Sequence, residues 1–130
     1  MKSISTTIIK SLLLVCIMVF LGFQADAQTV TKQAAFSSET GEITLAEGDL
    51  QEYYKIPVGE IGLVTSRIYK WSRGSSNNLV EFRYDEGATE LTLVLHLDRA
   101  KEEWTSIEWK SYLQEIAPRL KKSVVAYSAN

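Results

Sequence analysis

His96 is the only histidine in the chain, and Asp98 follows it two residues later. Residues two apart on an extended strand project to one side. A carboxylate so placed can orient an imidazole as general base, and with one of the chain's serines as nucleophile the three would make a small hydrolase. No serine, however, stands in the glycine-flanked elbow that presents such a nucleophile. His96 therefore reads first as an ordinary solvent-side or second-face residue, whose titration near neutrality is its one chemical asset.

The carboxylates Asp98, Glu102, Glu103 and Glu108 suggest a second chemistry, glycoside hydrolysis, which needs two such groups about 5–10 Å apart across a cleft. Here they crowd the entrance of an expected helix, where the helix dipole favours negative charge without any catalysis. A domain this small also leaves little room for a deep cleft. The run YDEGATE (84–90) lacks the dense spacing of Asp and Asn that a calcium loop requires. RGSSNN (73–78) has glycine and small polar residues but neither the lysine nor the spacing of a phosphate loop, and reads as a connector. No catalytic, metal-binding or cofactor-binding residue is assigned, and no cofactor is expected.

Aromatic side chains carry the remaining binding potential. In EEWTSIEWK (102–110), Thr105 and Glu108 are spaced as a capping box, with Trp104 and Trp109 at the two positions that form a hydrophobic staple around a helix start. The alternative is a carbohydrate-binding platform built on Trp104. Tyr53, Tyr54, Tyr69, Trp71 and Tyr127 exceed what the core faces obviously need, and such residues are enriched at protein interfaces. Tyr53 and Tyr54 are adjacent in an expected strand, so they must point to opposite sides. Tyr53, Tyr54, Tyr69, Trp71 and Trp104 are accordingly the candidate partner-binding residues.

The elements that would position these groups follow from periodicity. EITLA (42–46) and LQEYYKIPV (50–58) are strand-like and separated by the turn EGD, with Pro57 closing the second. Residues 59–73 read as a helix with Ile61, Val64, Ile68 and Trp71 on one stripe and Gly74 as its stop, although a strand also fits their β-branched content. LVEFRY (79–84), the turn DEGA and ELTLVLHL (90–97) form a hairpin whose inner face holds Leu91, Leu93, Leu95 and Leu97. A second helix with Trp109, Tyr112, Leu113, Ile116 and Leu120 on one stripe should cover that face. Pro118 kinks or ends this helix, and SVVAY (123–127) can return as an edge strand. The order strand, helix, strand, strand, helix, strand is the split βαβ pattern. It implies an α+β ferredoxin-like sandwich: an antiparallel sheet with two helices on one face.

Upstream of this domain lies a different kind of segment. Lys2 and Lys10, the apolar run SLLLVCIMVFLGF (11–23) and the small residues of ADA (25–27) make residues 1–27 a secretory signal cleaved after Ala27. The run is too short for a membrane span of about 20 residues. Cleavage removes two lysines and one aspartate, taking the formal net charge from −2 to about −3. Such a surface does not suit nucleic acid. The one cysteine leaves with the signal, so the mature chain has no thiol for disulfides, metal ligation or nucleophilic attack. Residues 28–41 form a flexible arm, and 42–130 a single domain large enough to bury its own core.

The stretches VTSRIYKW (64–71), NLVEFRYDEGATELTLVL (78–95) and TSIEWKSYLQEI (105–116) resemble the heavy-metal-associated domain family, which carries copper or related ions on a paired-cysteine loop at the start of its first helix. Setting Ile68 against the family's helix isoleucine places Ile61 and Val64 where the two cysteines would stand. Aliphatic side chains cannot ligate a soft metal, so metal transport does not carry over. What the chain leaves open is a secreted or periplasmic, non-enzymatic module that binds a protein partner or a second copy of itself, with no membrane span after signal cleavage.

Overall fold

The computed structural model describes residues 31–128; the expected signal segment, its cleavage point and residues 28–30 lie outside them. Five strands and two helices form an α+β domain. The strands are β1 (Lys32–Phe36), β2 (Ile43–Leu45), β3 (Tyr53–Pro57), β4 (Val80–Arg83) and β5 (Glu90–Leu95), and the helices α1 (Thr65–Ser75) and α2 (Ser106–Ser128). Among the described residues no helix is long and apolar enough to cross a membrane.

The hairpin forms as its alternation dictates. β4 and β5 pair antiparallel with Val80 opposite Leu95 and Phe82 opposite Leu93, and all four side chains are buried. β3 lines the other side of β5, with Tyr54 opposite Leu93 and Ile56 opposite Leu91. β5 therefore lies between β3 and β4 and runs antiparallel to both, so α1 crosses between two parallel strands that are not neighbours. Both helices put their apolar stripes, Ile68 and Trp71 from α1 and Trp109, Leu113, Leu120 and Val124 from α2, into one core with the inward strand residues.

Three expectations are corrected. Residues 32–36, expected within a flexible arm, form β1 in the sheet interior, antiparallel to β2 and parallel to β3. Ala34 and Phe36 face the core, with partly buried Lys32 at the margin of the same side, while Gln33 and Ala35 face outward, and hydrogen bonds on both sides compensate for this sparse apolar content. The sheet is consequently mixed, in the order β2-β1-β3-β5-β4, rather than antiparallel. SVVAY does not return as a strand: Val124 continues the buried stripe of α2, and the helix passes through Pro118, which faces solvent. There the missing N–H costs one hydrogen bond without displacing core side chains.

Residues 59–73 do not make one helix. A 3-10 turn spans Val58–Ile61, Gly62 adopts the left-handed conformation at φ +81°, and α1 begins only at Thr65. Val64, expected on the buried stripe, is exposed, whereas Ile61 is fully buried. The two positions set against a cysteine pair are thus separated by the core boundary.

At the α2 entrance Thr105 and Glu108 meet as their spacing requires. The Thr105 amide donates to Glu108 Oε1 at 2.7 Å, and the Thr105 hydroxyl contacts the same oxygen at 3.2 Å. The hydroxyl is spent on the carboxylate rather than on a helix amide, so half of the reciprocal box is made. The Trp104 and Trp109 rings pack edge to face at 5.0 Å and 76°, closing the staple.

Candidate functional site

Both helices cover one side of the sheet, and among the described residues no element covers the other. Its outward side chains come from alternate residues of each strand: Gln33 and Ala35 on β1, Tyr53 and Lys55 on β3, Glu81 and Arg83 on β4, Glu90, Thr92 and Val94 on β5.

At the β4 end these residues form a charged row. Arg83 grips Glu81 with two bonds, Nε to Oε2 at 2.9 Å and Nη2 to Oε1 at 3.1 Å. His96 Nε2 lies 2.8 Å from the same Oε1. A carboxylate accepts, so this imidazole nitrogen carries the proton. The Arg83 hydrogen bonds are the main reason the Glu81 carboxyl is lowered from 4.5 to about 2; burial opposes the shift and His96 assists it. The Arg83 guanidinium is raised in turn, chiefly by Glu81, with the Tyr53 hydroxyl adding to the effect. Beneath the row Val94 is 1 % exposed yet stands outside the main core cluster, so the polar side chains above it seal it from water.

Further across the face Lys55 Nζ donates to Thr92 Oγ1 at 3.0 Å and Gln33 Nε2 to Glu90 Oε2 at 3.1 Å. A shallow hollow of about 390 Å³ lies here, lined by Tyr53, Lys55, Arg83, Asp85 and Thr92 among others. The arrangement is a pre-ordered polar surface around one exposed aromatic ring, that of Tyr53.

No protein-family model, no curated protein and no solved structure matches this chain. The chemistry of the face must therefore be read from its own residues.

The alternative pairing of His96 with Asp98 as base and orienter is not assembled. β5 ends at Leu95, His96 turns the chain at φ −82° and ψ 81°, and Asp98 falls in the exposed 3-10 turn Leu97–Arg99. The i, i+2 rule holds only while the strand continues. His96 is instead buried against Glu81, and among the described residues no hydroxyl hydrogen-bonds its ring. Glu81 is the residue not singled out from the sequence; the alternation in LVEFRY puts it with Arg83 on the face opposite Val80 and Phe82. Of the clustered carboxylates, Glu108 is committed to the helix entrance. Among the described residues no group of three or more His, Cys, Asp or Glu side chains converges in a manner suited to a metal ion.

The five candidate partner-binding aromatics are dispersed. Tyr53 is exposed on the open face. Tyr69 is exposed on α1, where Arg73 lies over its ring and donates to its hydroxyl at 2.8 Å. Trp104 is partly covered, packing on Trp109 and on Tyr112 at 5.5 Å, so its surroundings are those of a staple. Tyr54 and Trp71 are corrected from surface to core. Tyr54 is 1 % exposed with its hydroxyl accepting the Gln51 amide at 2.9 Å, and burial raises its pKa. Trp71 is fully enclosed between Phe36 and Phe82.

Proposed function

We propose that this chain is a small exported module, secreted or periplasmic, that acts by binding a protein through the open face of its sheet rather than by catalysis. The observation that carries the reading is the row Arg83, Glu81 and His96 beside the exposed Tyr53 ring. Its side chains are already paired and oriented, so a partner meeting them sacrifices little further side-chain entropy. The signal-like residues 1–27 support export. The β3-α1-β4-β5-α2 order supports a distant relationship to split βαβ folds, in which an N-terminal pair of strands has replaced the final strand. Within that relationship, the exposed Val64 and buried Ile61 support the loss of a metal site from the heavy-metal-associated pattern.

The test places a photo-reactive phenylalanine analogue at Tyr53 and, separately, at Tyr69 in the producing cell. Covalent adducts with one discrete protein are expected from position 53 and not from position 69. Equal yields at both, or none at 53, overturn the reading. Sequencing the N-terminus of the mature protein tests export, with Gln28 expected first.

A further inference from the structure

The two edges of the sheet are treated differently. On β4 the outward backbone groups are occupied by the α1–β4 connection. Asn77 Oδ1 accepts the Val80 amide at 2.8 Å, the Asn77 amide returns to the Val80 carbonyl at 2.8 Å, and Ser76 Oγ accepts the Phe82 amide at 2.8 Å. A foreign strand finds no free amide there.

Among the described residues β2, the opposite edge, lacks such cover. The Ala46 amide bonds the Gln33 carbonyl and the Ser37 amide bonds the Glu42 carbonyl. By antiparallel alternation the backbone groups of Glu42, Thr44 and Ala46 turn towards β1, and those of Ile43 and Leu45 turn away. Among the described residues neither the amide nor the carbonyl of Ile43 or Leu45 has a hydrogen-bond partner outside the strand pairing. The side chains of Ile43 and Leu45 are buried in the core, so this edge is held rigidly in extended form.

From these observations we infer that the β2 edge is a strand-addition site for an extended, basic segment of another polypeptide. Charge chooses the occupant. Glu42, Glu47 and Asp49 are exposed around the edge, and none of them joins a salt bridge among the described residues. The nearby Lys32 ammonium is already turned to the carbonyls of Glu47 and Asp49, at 3.2 and 3.1 Å. A second copy added antiparallel about Thr44 would set Glu42 opposite the partner's Ala46, with no cation to meet it, and would bring two acidic edges together, which disfavours self-pairing. A lysine- or arginine-bearing strand places cations against the same carboxylates while its backbone bonds Ile43 and Leu45, the pattern of β-augmentation. This site is separate from the open face and stands or falls without it.

The test titrates the chain with an alternating lysine–valine peptide with blocked ends, following amide hydrogen exchange residue by residue. Binding should slow exchange at Ile43 and Leu45 and leave Val80 and Phe82 unchanged. Methylating the peptide amides that face β2 should weaken it about thirtyfold, as the loss of two hydrogen bonds of ordinary net worth implies. A peptide with glutamate for lysine should not bind. Equal affinity of the methylated peptide would reduce the effect to charge alone and overturn the proposal. Protection mapping to Tyr53 and Thr92 overturns it in favour of the open face. Sedimentation as a dimer, with Ile43 and Leu45 protected before any peptide is added, overturns it in favour of a second copy.

Discussion

Gly41 stands so close to Ala117 that a Cβ built on it would overlap the Ala117 carbonyl oxygen and come within 2.7 Å of the Lys121 amide nitrogen. The turn between β1 and β2 thus docks backbone to backbone on α2, one residue before Pro118. Gly41 also holds φ +79°, a conformation that costs other residues free energy on its own.

Three glycines separate these effects. Gly41→Ala combines backbone strain with overpacking and should cost about 2–5 kcal/mol. Gly87→Ala has φ +89° but open space around the new methyl, so it should cost only about 1–2 kcal/mol. Gly59→Ala has neither handicap and should be neutral or stabilising by up to about 1 kcal/mol. Urea unfolding midpoints measured together check the ranking.

Trp71 joins the helices through a hydrogen bond. Its indole N–H donates to Ser123 Oγ at 2.9 Å, while that hydroxyl donates to the Leu120 carbonyl and lies 3.0 Å from Ser75 Oγ. Ser123→Ala should cost about 1–3 kcal/mol, because a buried donor is left without a partner. In a Trp71→Phe background the same change should cost clearly less, since the indole N–H is already gone. A double-mutant cycle of unfolding free energies measures the difference.

Acid should act on the open face through Glu81. Its folded pKa is lowered from 4.5 to about 2, so the stabilisation it gives is fully present above pH 4.5 and disappears as pH falls through about 2. The Glu81 and Arg83 side chains are partly exposed, and solvent screening holds the contribution to about 1 kcal/mol or less. Glu81→Gln should therefore be less stable than the parent at neutral pH and match it near pH 2. Parallel denaturation series across that range read the convergence.

The legible parts of the fold are the local ones. The β4–β5 hairpin and the Trp104–Trp109 staple depend on residues within one turn or one alternation of each other, and both were readable from spacing. β1 was not, because Ala34 and Phe36 are too few to announce a strand, and what makes one is pairing with β2 on one side and β3 on the other. The same omission left Trp71 looking surplus, since Phe36, one of the rings enclosing it, arrives with β1. SVVAY misled because β-branched preference yields to the helical stripe through Leu120 and Val124. At the site, the Glu81 and Arg83 pair was visible as a shared face, but the bond to His96 depends on cross-strand register.

The guarded β4 edge supplies the last expectation. Ser76 Oγ donates to the Ser72 carbonyl at 2.7 Å while accepting the Phe82 amide, and Asn77 Oδ1 accepts both the Leu79 and Val80 amides. These bonds stop the connection from peeling away and keep the strand's outward amides from a second chain. Ser76→Ala should cost about 1–3 kcal/mol and speed exchange at Phe82 selectively, because the freed amide meets solvent. With Asn77→Ala added, the edge carries two free amides beside the apolar residues Leu79 and Val80, and concentration-dependent association in sedimentation should rise above that of the parent. A doubly substituted chain that associated no more than its parent would show that this edge is protected by something other than the two side chains that occupy it.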